Sequence, residues 1–547
     1  MRVLVGLTIA CVLTWLAGWQ IPLMEIDAVQ YANISREMLQ HKSFLEVFDQ
    51  GKDYLDKPPM LFWLSSVSMW IFGIHDWAYR LPSYLFSILS LYSTYRFALL
   101  YYSRRMALLS ALVLASSQAM FLINHDVRTD TMLMGWVIFS IWQMTAWLQD
   151  RKWKNLILAS AAIAGGMLTK GPIALMVPIF AFSAHLILTR SFTLFVKWEY
   201  LLMLVIIGVL LIPMSIGLYR QYDLHPEKMM YGQKGISGLR FFYWTQSFGR
   251  ITGESTWHEN DRFSFLFENL LWGFLPWTIL FILGLLTAIR DWIRNRLFVP
   301  AGQEAISVGG FLVTYFALAS SKAQLPHYIY VVLPLAGVFT AKFLDGLCFE
   351  KRWPRWERSL TVVHYILFSI LVLLMFVLLI FPFPPPQLSI MVLAVLTTVL
   401  FLVVLIKNSL GLPPLLTTCI LTIILVNLWL DTGFYPKLLE YQDSIPASRY
   451  VREHRLNKDR LFLYQEASPR SMDFYSDYSF KKTELPSALQ SGDMLLTNKK
   501  GMETIDRSRF QVIDSGVAFH VTTLSLDVLN PYTRNQNSDA FYILVRN

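Results

Sequence analysis

Acids, tyrosines and a lysine gather near the start of the chain: Glu25, Asp27 and Tyr31, then Tyr54 and Lys57 before Pro58-Pro59. A carboxylate such as Asp27 can take a proton from an attacking hydroxyl, which is general-base chemistry. Its bland alternative is to cap the helix that residues 28–40 form by pattern. A lysine stiffened by two following prolines suits a phosphate or pyrophosphate oxygen, and its alternative is snorkelling to lipid headgroups. Asp130 follows Arg128-Thr129 and could bind a sugar hydroxyl or orient a cation; as an N-cap or as the partner of Arg128 it would be structural. Lys170 precedes Gly171-Pro172, where a lysine beside a helix start favours an anionic group. Arg250 and Lys322 add further cations. His125, His258 and His327 could ligate a metal, although they stand at no recognised ligand spacing.

These residues are set in a chain of 547 residues that is 55% hydrophobic and 16% charged. A soluble protein of this size carries roughly a quarter charged residues, so the composition indicates a polytopic membrane protein. About thirteen spans are expected by the twenty-residue rule, near 3–20, 81–102, 106–123, 131–148, 155–169, 172–189, 200–219, 265–288, 306–320, 326–345, 360–381, 387–406 and 412–431. The apolar stretch 60–74 is shorter and is expected to lie along the interface. Arg2 before an apolar run resembles a signal peptide, but no small-residue cleavage site follows, so 3–20 reads as the first span.

Alternate loops collect Arg104, Arg105, Arg151, Lys152, Lys154, Arg190, Lys197, Arg290, Arg294, Arg296, Lys342, Lys351, Arg352, Arg355, Arg358 and Lys407. The positive-inside rule places these loops and Arg2 in the cytoplasm. The net charge of +9 is therefore mostly a topology signal, not a nucleic-acid footprint. The opposite face receives loops 21–80 and 220–264, the 125–130 turn, 169–172 and 321–328, and with an odd span count also the tail. Charges are costly near lipid, so their convergence on one face is the pattern of an interfacial site.

The tail, 432–547, reads as a small soluble α/β domain, with short strands at 461–465, 493–496, 510–513 and 541–545. It holds no glycine-rich phosphate loop, metal cluster or nucleophile motif. Cys11, Cys348 and Cys419 lie in or beside apolar spans, so the tail has no cysteine to form a disulfide.

Asp27-Ala28-Val29-Gln30-Tyr31, Ser35-Arg36-Glu37-Met38-Leu39 and Lys57-Pro58-Pro59 resemble the first external loop of the bacterial aminoarabinose transferases. These stand with the protein O-mannosyltransferases in the GT-C glycosyltransferase superfamily. Arg128-Thr129-Asp130, Leu168-Thr169-Lys170-Gly171-Pro172 and Lys322-Ala323-Gln324-Leu325-Pro326-His327-Tyr328 resemble later motifs of that family, in the same order. The chain departs from the pattern at Ala28, where a second acid is common, and at Gln30, where arginine is frequent. Both departures bear on the acceptor.

The resemblance implies a GT-C fold over 1–431 followed by a periplasmic α/β domain, in a bacterial inner membrane with the N-terminus cytoplasmic. It implies a polyprenyl-phosphate sugar as donor and an inverting transfer. Asp27 would be the catalytic acid/base group with Asp130 a second acid, and Tyr31, Tyr54, Lys57, Lys170, Arg250 and Tyr328 would surround the donor phosphate. Lys322 and His258 would support them. Lipid A or another glycolipid is the expected acceptor; the alternative is a protein hydroxyl, as in the O-mannosyltransferases. No cofactor is required by this reading, and a divalent metal stays open. A lipid or solute transporter is the rival from another class, but it would place ionisable groups near mid-membrane and on broken helices.

Overall fold

The computed structural model describes residues 1–247, 249, 254, 262–384, 388–465, 470–522 and 524–547. The protein is a multi-span helical bundle with a mixed sheet near its C-terminus. Among the described residues the expected spans fall on helical segments, though not each on one continuous helix. Among the described residues, seven helices are long and apolar enough to cross a membrane, or eight with the pair Arg104–Ala115 and Gln118–His125, which bends by 54°. The expected span 265–288 is divided into Phe265–Gly273 and Thr278–Arg294, with Pro276 in the break. Ile173–Leu188 and Ile306–Ala319 are apolar but shorter than a bilayer's hydrocarbon core demands. Length and composition therefore support seven or eight spans, and the figure of thirteen remains a reading of the pattern.

The largest core is apolar and lies among these helices. Leu333–Cys348 is at its centre, packed against Arg104–Ala115, Thr278–Arg294 and Ile306–Ala319. The stretch 60–74 forms the helix Met60–Phe72, which packs on Asp27–His41 and Asp76–Ala98. Two local signals position the functional side chains. Gly171 adopts a φ of 86°, where a side chain would be strained, so the helix Trp153–Lys170 stops directly after its lysine. Asp27 is the first helical residue of Asp27–His41 and provides no side-chain cap; the N-cap is Ile26. The capping alternative for Asp27 is thus not what the structure adopts.

The tail contains a five-stranded sheet ordered Lys481–Lys482, Leu461–Tyr464, Met494–Asn498, Asp539–Arg546 and Phe510–Ala518. The first three strands are parallel and the last two pairings antiparallel. Four strands match the expected positions. The fifth, Lys481–Lys482, has neither apolar alternation nor β-branched residues, so nothing in its pattern announces it.

The tail docks on helix Asp27–His41 and the segment after it through polar groups. Arg36 is fully buried and donates to the Asp473 carbonyl at 2.7 Å and to Ser479 Oγ at 3.3 Å. Gln50 Nε2 donates to Asp473 Oδ2 at 2.8 Å, and Arg470 donates to Asp49 at 2.9 Å. Burial pushes the Asp473 carboxyl up to about 6, the bonds from the Phe480 amide and Gln50 only partly offsetting it.

Candidate active site

The 125–130 turn joins two ion clusters. In one, the Arg128 guanidinium pairs with Asp27, reaching back 101 residues, and with Asp126 at 3.0 Å. In the other, Lys170 Nζ lies 2.5 Å from Asp130 Oδ1, and His327 Nε2 lies 3.6 Å from Asp130 Oδ2. Asp130 is almost fully buried, so its charge is compensated by a cation from another helix. Its partner is Lys170, not the Arg128 that sequence proximity suggests, and it is not the N-cap, which is Arg128. Lys170 Nζ also stands 4.0 Å from the Tyr328 ring centroid, a cation–π contact.

Lys57 completes the group. Its Nζ is 2.5 Å from Asp56 Oδ2, and Gln246 from the 220–264 loop donates to the Asp56 carbonyl. Its side chain is only 14% exposed and turned inward, unlike a snorkelling lysine. Lys57, Asp130, Lys170, Gln246, Ser247, Ser321 and Tyr328 line one cavity of ≈140 Å³. Its remaining walls are apolar and include Leu133, Ile173, Met176, Phe180 and Leu318, so cations stand at one side of a greasy slot.

Tyr31 and Tyr54 do not line this cavity; they lie in the core formed by the 21–80 segment, with ring centroids 5.8 and 6.1 Å from that of Phe62. Burial, then the charges of Asp27 and Asp56, holds the Tyr31 hydroxyl well above the ordinary phenol range. Burial does the same for Tyr54, followed by the nearby Tyr31 hydroxyl and the charge of Asp56. Both are therefore neutral donors. The Tyr54 hydroxyl is buried without a hydrogen-bond partner among the described residues. Lys322 is exposed, forms no ion pair among the described residues and is not part of the cavity wall, although its neighbour Ser321 is. Arg250 and His258 lie outside the described residues. His125 is separate from His327: it is buried 3.4 Å from Asp431. Among the described residues no three His, Cys, Asp or Glu side chains group as a metal site would require.

Several participants carried no local signal. Asp126 and Asp56 become partners of Arg128 and Lys57 only in the fold, and Gln246 comes from a distant loop. Glu25 accepts from Ser444 Oγ at 3.0 Å and Ser471 Oγ at 2.8 Å, while its amide donates to Gln442 at 3.0 Å. The tail thus grips the segment that leads into Asp27.

Three comparisons bear on this arrangement. The family model described as dolichyl-phosphate-mannose-protein mannosyltransferase matches residues 56–216, which include Lys57, Asp130 and Lys170. The undecaprenyl phosphate-alpha-4-amino-4-deoxy-L-arabinose arabinosyl transferase of Edwardsiella ictaluri is 26% identical over 60% of this chain and 56% of its own length. Its counterpart in Yersinia pestis is 27% identical over 56% of this chain and 52% of its own length. The match therefore spans about half the length of these curated relatives. Among solved structures, ArnT from Cupriavidus metallidurans bound to undecaprenyl phosphate superposes with a TM-score of 0.71 at 16% identity, over 98% of this chain and 97% of that one. The chain thus has the fold of ArnT and resembles the aminoarabinose transferases in sequence.

Proposed function

We propose that this protein is a membrane glycosyltransferase that moves a monosaccharide from a polyprenyl-phosphate donor to a hydroxyl of lipid A or another glycolipid. The observation that carries this reading is the slot in which Lys57 and Lys170 stand against apolar walls, a shape suited to a phosphate on a hydrocarbon tail. The names of the aminoarabinose transferases it resembles point to the same donor class. On this reading the site faces the periplasm, the N-terminus is cytoplasmic, and 432–547 is a periplasmic domain.

The chemistry follows from the charges. In the structure three cations, Lys57, Arg128 and Lys170, already face four acids, Asp27, Asp56, Asp126 and Asp130. An arriving phosphate competes for those cations and draws Arg128 away from Asp27, leaving a carboxylate able to accept a proton. Asp27 takes the proton of the acceptor hydroxyl as its oxygen attacks the anomeric carbon. The bond from that carbon to the phosphate oxygen breaks, and its electron pair stays on the phosphate. Lys57 and Lys170 stabilise that developing charge, and displacement from the opposite side inverts the anomeric centre. Tyr31 and Tyr54, held neutral, can donate to the sugar or the phosphate.

A second reading is favoured by the description of the matching family model: a protein hydroxyl as acceptor. The two separate when glycolipids and glycoproteins are compared between cells with and without the protein. A saccharide gained on a glycolipid supports the first reading, and one gained only on protein replaces it with the second. If neither fraction changes, the transferase reading is wrong. Transport is disfavoured because Asp27, Lys57, Asp130 and Lys170 sit at helix ends or in loops.

A further inference from the structure

The helix ends opposite Asp27 enclose a second, larger cavity of ≈750 Å³, on the side that collects the basic loops. Helix Leu333–Cys348 follows on from His327 and Tyr328 and carries Lys342 to this cavity, roughly 20 Å further along the helix axis. Every other residue of Leu333–Cys348 is buried, and Lys342 alone is exposed, with the cavity at its side. Arg294, in the last turn of Thr278–Arg294, lines the same space.

Of the charged groups on its wall, Lys342, Arg294 and Arg352 outweigh Asp291 and Glu304 by one positive charge. Glu304 is buried, and its oxygens accept from the Tyr102 hydroxyl at 2.7 Å, the Ser307 amide at 2.8 Å and Ser307 Oγ at 2.6 Å. It is therefore occupied in holding the start of the next helix. Arg352 pairs with Glu350 at 2.5 Å, and Asp291 pairs with Arg290 at 3.1 Å. Lys342 Nζ has only the Tyr102 ring, 5.6 Å away, and neither it nor Arg294 forms an ion pair among the described residues. Arg190, over the Phe298 ring at 5.3 Å, adds to the positive field. Two helix C-termini also face this end and bring partial negative charge, which is one reason cations in the last turns are favourable there.

Part of the wall is apolar, with Trp292, Phe298, Phe339 and Phe343, and Ile293 and Leu297, next in sequence to the first two, are 65% and 58% exposed. A free anion gains nothing from such a border, whereas an amphiphile uses both parts. We propose that this cavity binds an anionic phospholipid, its phosphate between Lys342 and Arg294 and its acyl chains along Ile293 and Leu297. Basic pockets between membrane helices hold lipid headgroups by this combination of charge and apolar contact. The site is independent of the sugar-transfer reading.

The test measures binding of phosphatidylglycerol, phosphatidylcholine and inorganic phosphate to the purified full-length protein in detergent. Phosphatidylglycerol is expected to bind, and the Lys342→Ala/Arg294→Ala variant to bind it about thirtyfold more weakly, at about fivefold per cation. Arg104→Ala, an exposed cation at the same end, should leave the affinity unchanged. Lys342→Gln alone, which keeps most of the side-chain volume, should lose about fivefold and serves if the double variant does not fold. Equal binding by the variants and the unaltered protein overturns the proposal. So does equal binding of phosphatidylcholine, or displacement of the lipid by inorganic phosphate at comparable concentration.

Discussion

At the scale of single residues, the site is a set of compensated charges, and removing one partner has two separable consequences. Lys170→Met deletes a cation proposed to bind phosphate and strands the buried Asp130 carboxylate. An uncompensated buried charge costs about 3–5 kcal/mol, so the variant should lose both thermal stability and transfer activity. Adding Asp130→Asn removes the stranded charge and should return much of the stability while activity stays low. Thermal unfolding and transfer assays on the three proteins check this; recovery of activity along with stability would assign Lys170 a purely structural part. The residue types at this site were readable in advance, because Asp27, Lys57, Asp130 and Lys170 stand at helix starts, a proline pair or a glycine stop. Their pairings were not. Lys170 meets Asp130 across 40 residues and Arg128 meets Asp27 across 101, and only packing decides such partners.

At the scale of elements, the tail is a clamp on the helix Asp27–His41. Arg36 and Glu25 looked like parts of a family motif or of the acidic cluster, yet one holds the Asp473 and Ser479 groups and the other Ser444 and Ser471. The sheet strands with apolar alternation were foreseeable, whereas a polar interface between distant segments leaves no periodic trace. The elevated Asp473 carboxyl gives this interface a pH dependence. Its folded-state value lies above its unfolded one, so its contribution is complete below about pH 4 and is lost as pH rises through about 6. The span between the two values corresponds to about 2–3 kcal/mol. Asp473→Asn should flatten that dependence while keeping an acceptor for the Phe480 amide. Protease release of the tail, followed from pH 4 to 7 in both proteins, reads the difference; identical profiles would remove Asp473 from the account.

For the whole molecule, the proposed orientation puts the Asp27 loops outside and the basic loops inside. Cys11, Cys348 and Cys419 are buried, so an introduced thiol reports against a low background. Lys322→Cys should react with a membrane-impermeant maleimide in spheroplasts, and Arg104→Cys only after permeabilisation. The reverse pattern would invert the topology. The positions of the helices were largely foreseen by hydropathy, but Pro276 interrupts 265–288 and several helices are too short to count by length alone. Short helices packed inside a bundle need not satisfy the twenty-residue rule, because their neighbours cover them.

The central claim, that Asp27 activates the acceptor for transfer from a lipid phosphate, meets its most direct measurement in single-turnover sugar transfer by Asp27→Asn. The substitution keeps the side-chain volume and removes the base. With polyprenyl-phosphate sugar and glycolipid acceptor reconstituted in vesicles, the transfer rate should fall by about 10²–10⁴-fold while thermal stability and donor binding stay close to those of the unaltered protein. A rate within a few-fold of the unaltered protein would contradict the account.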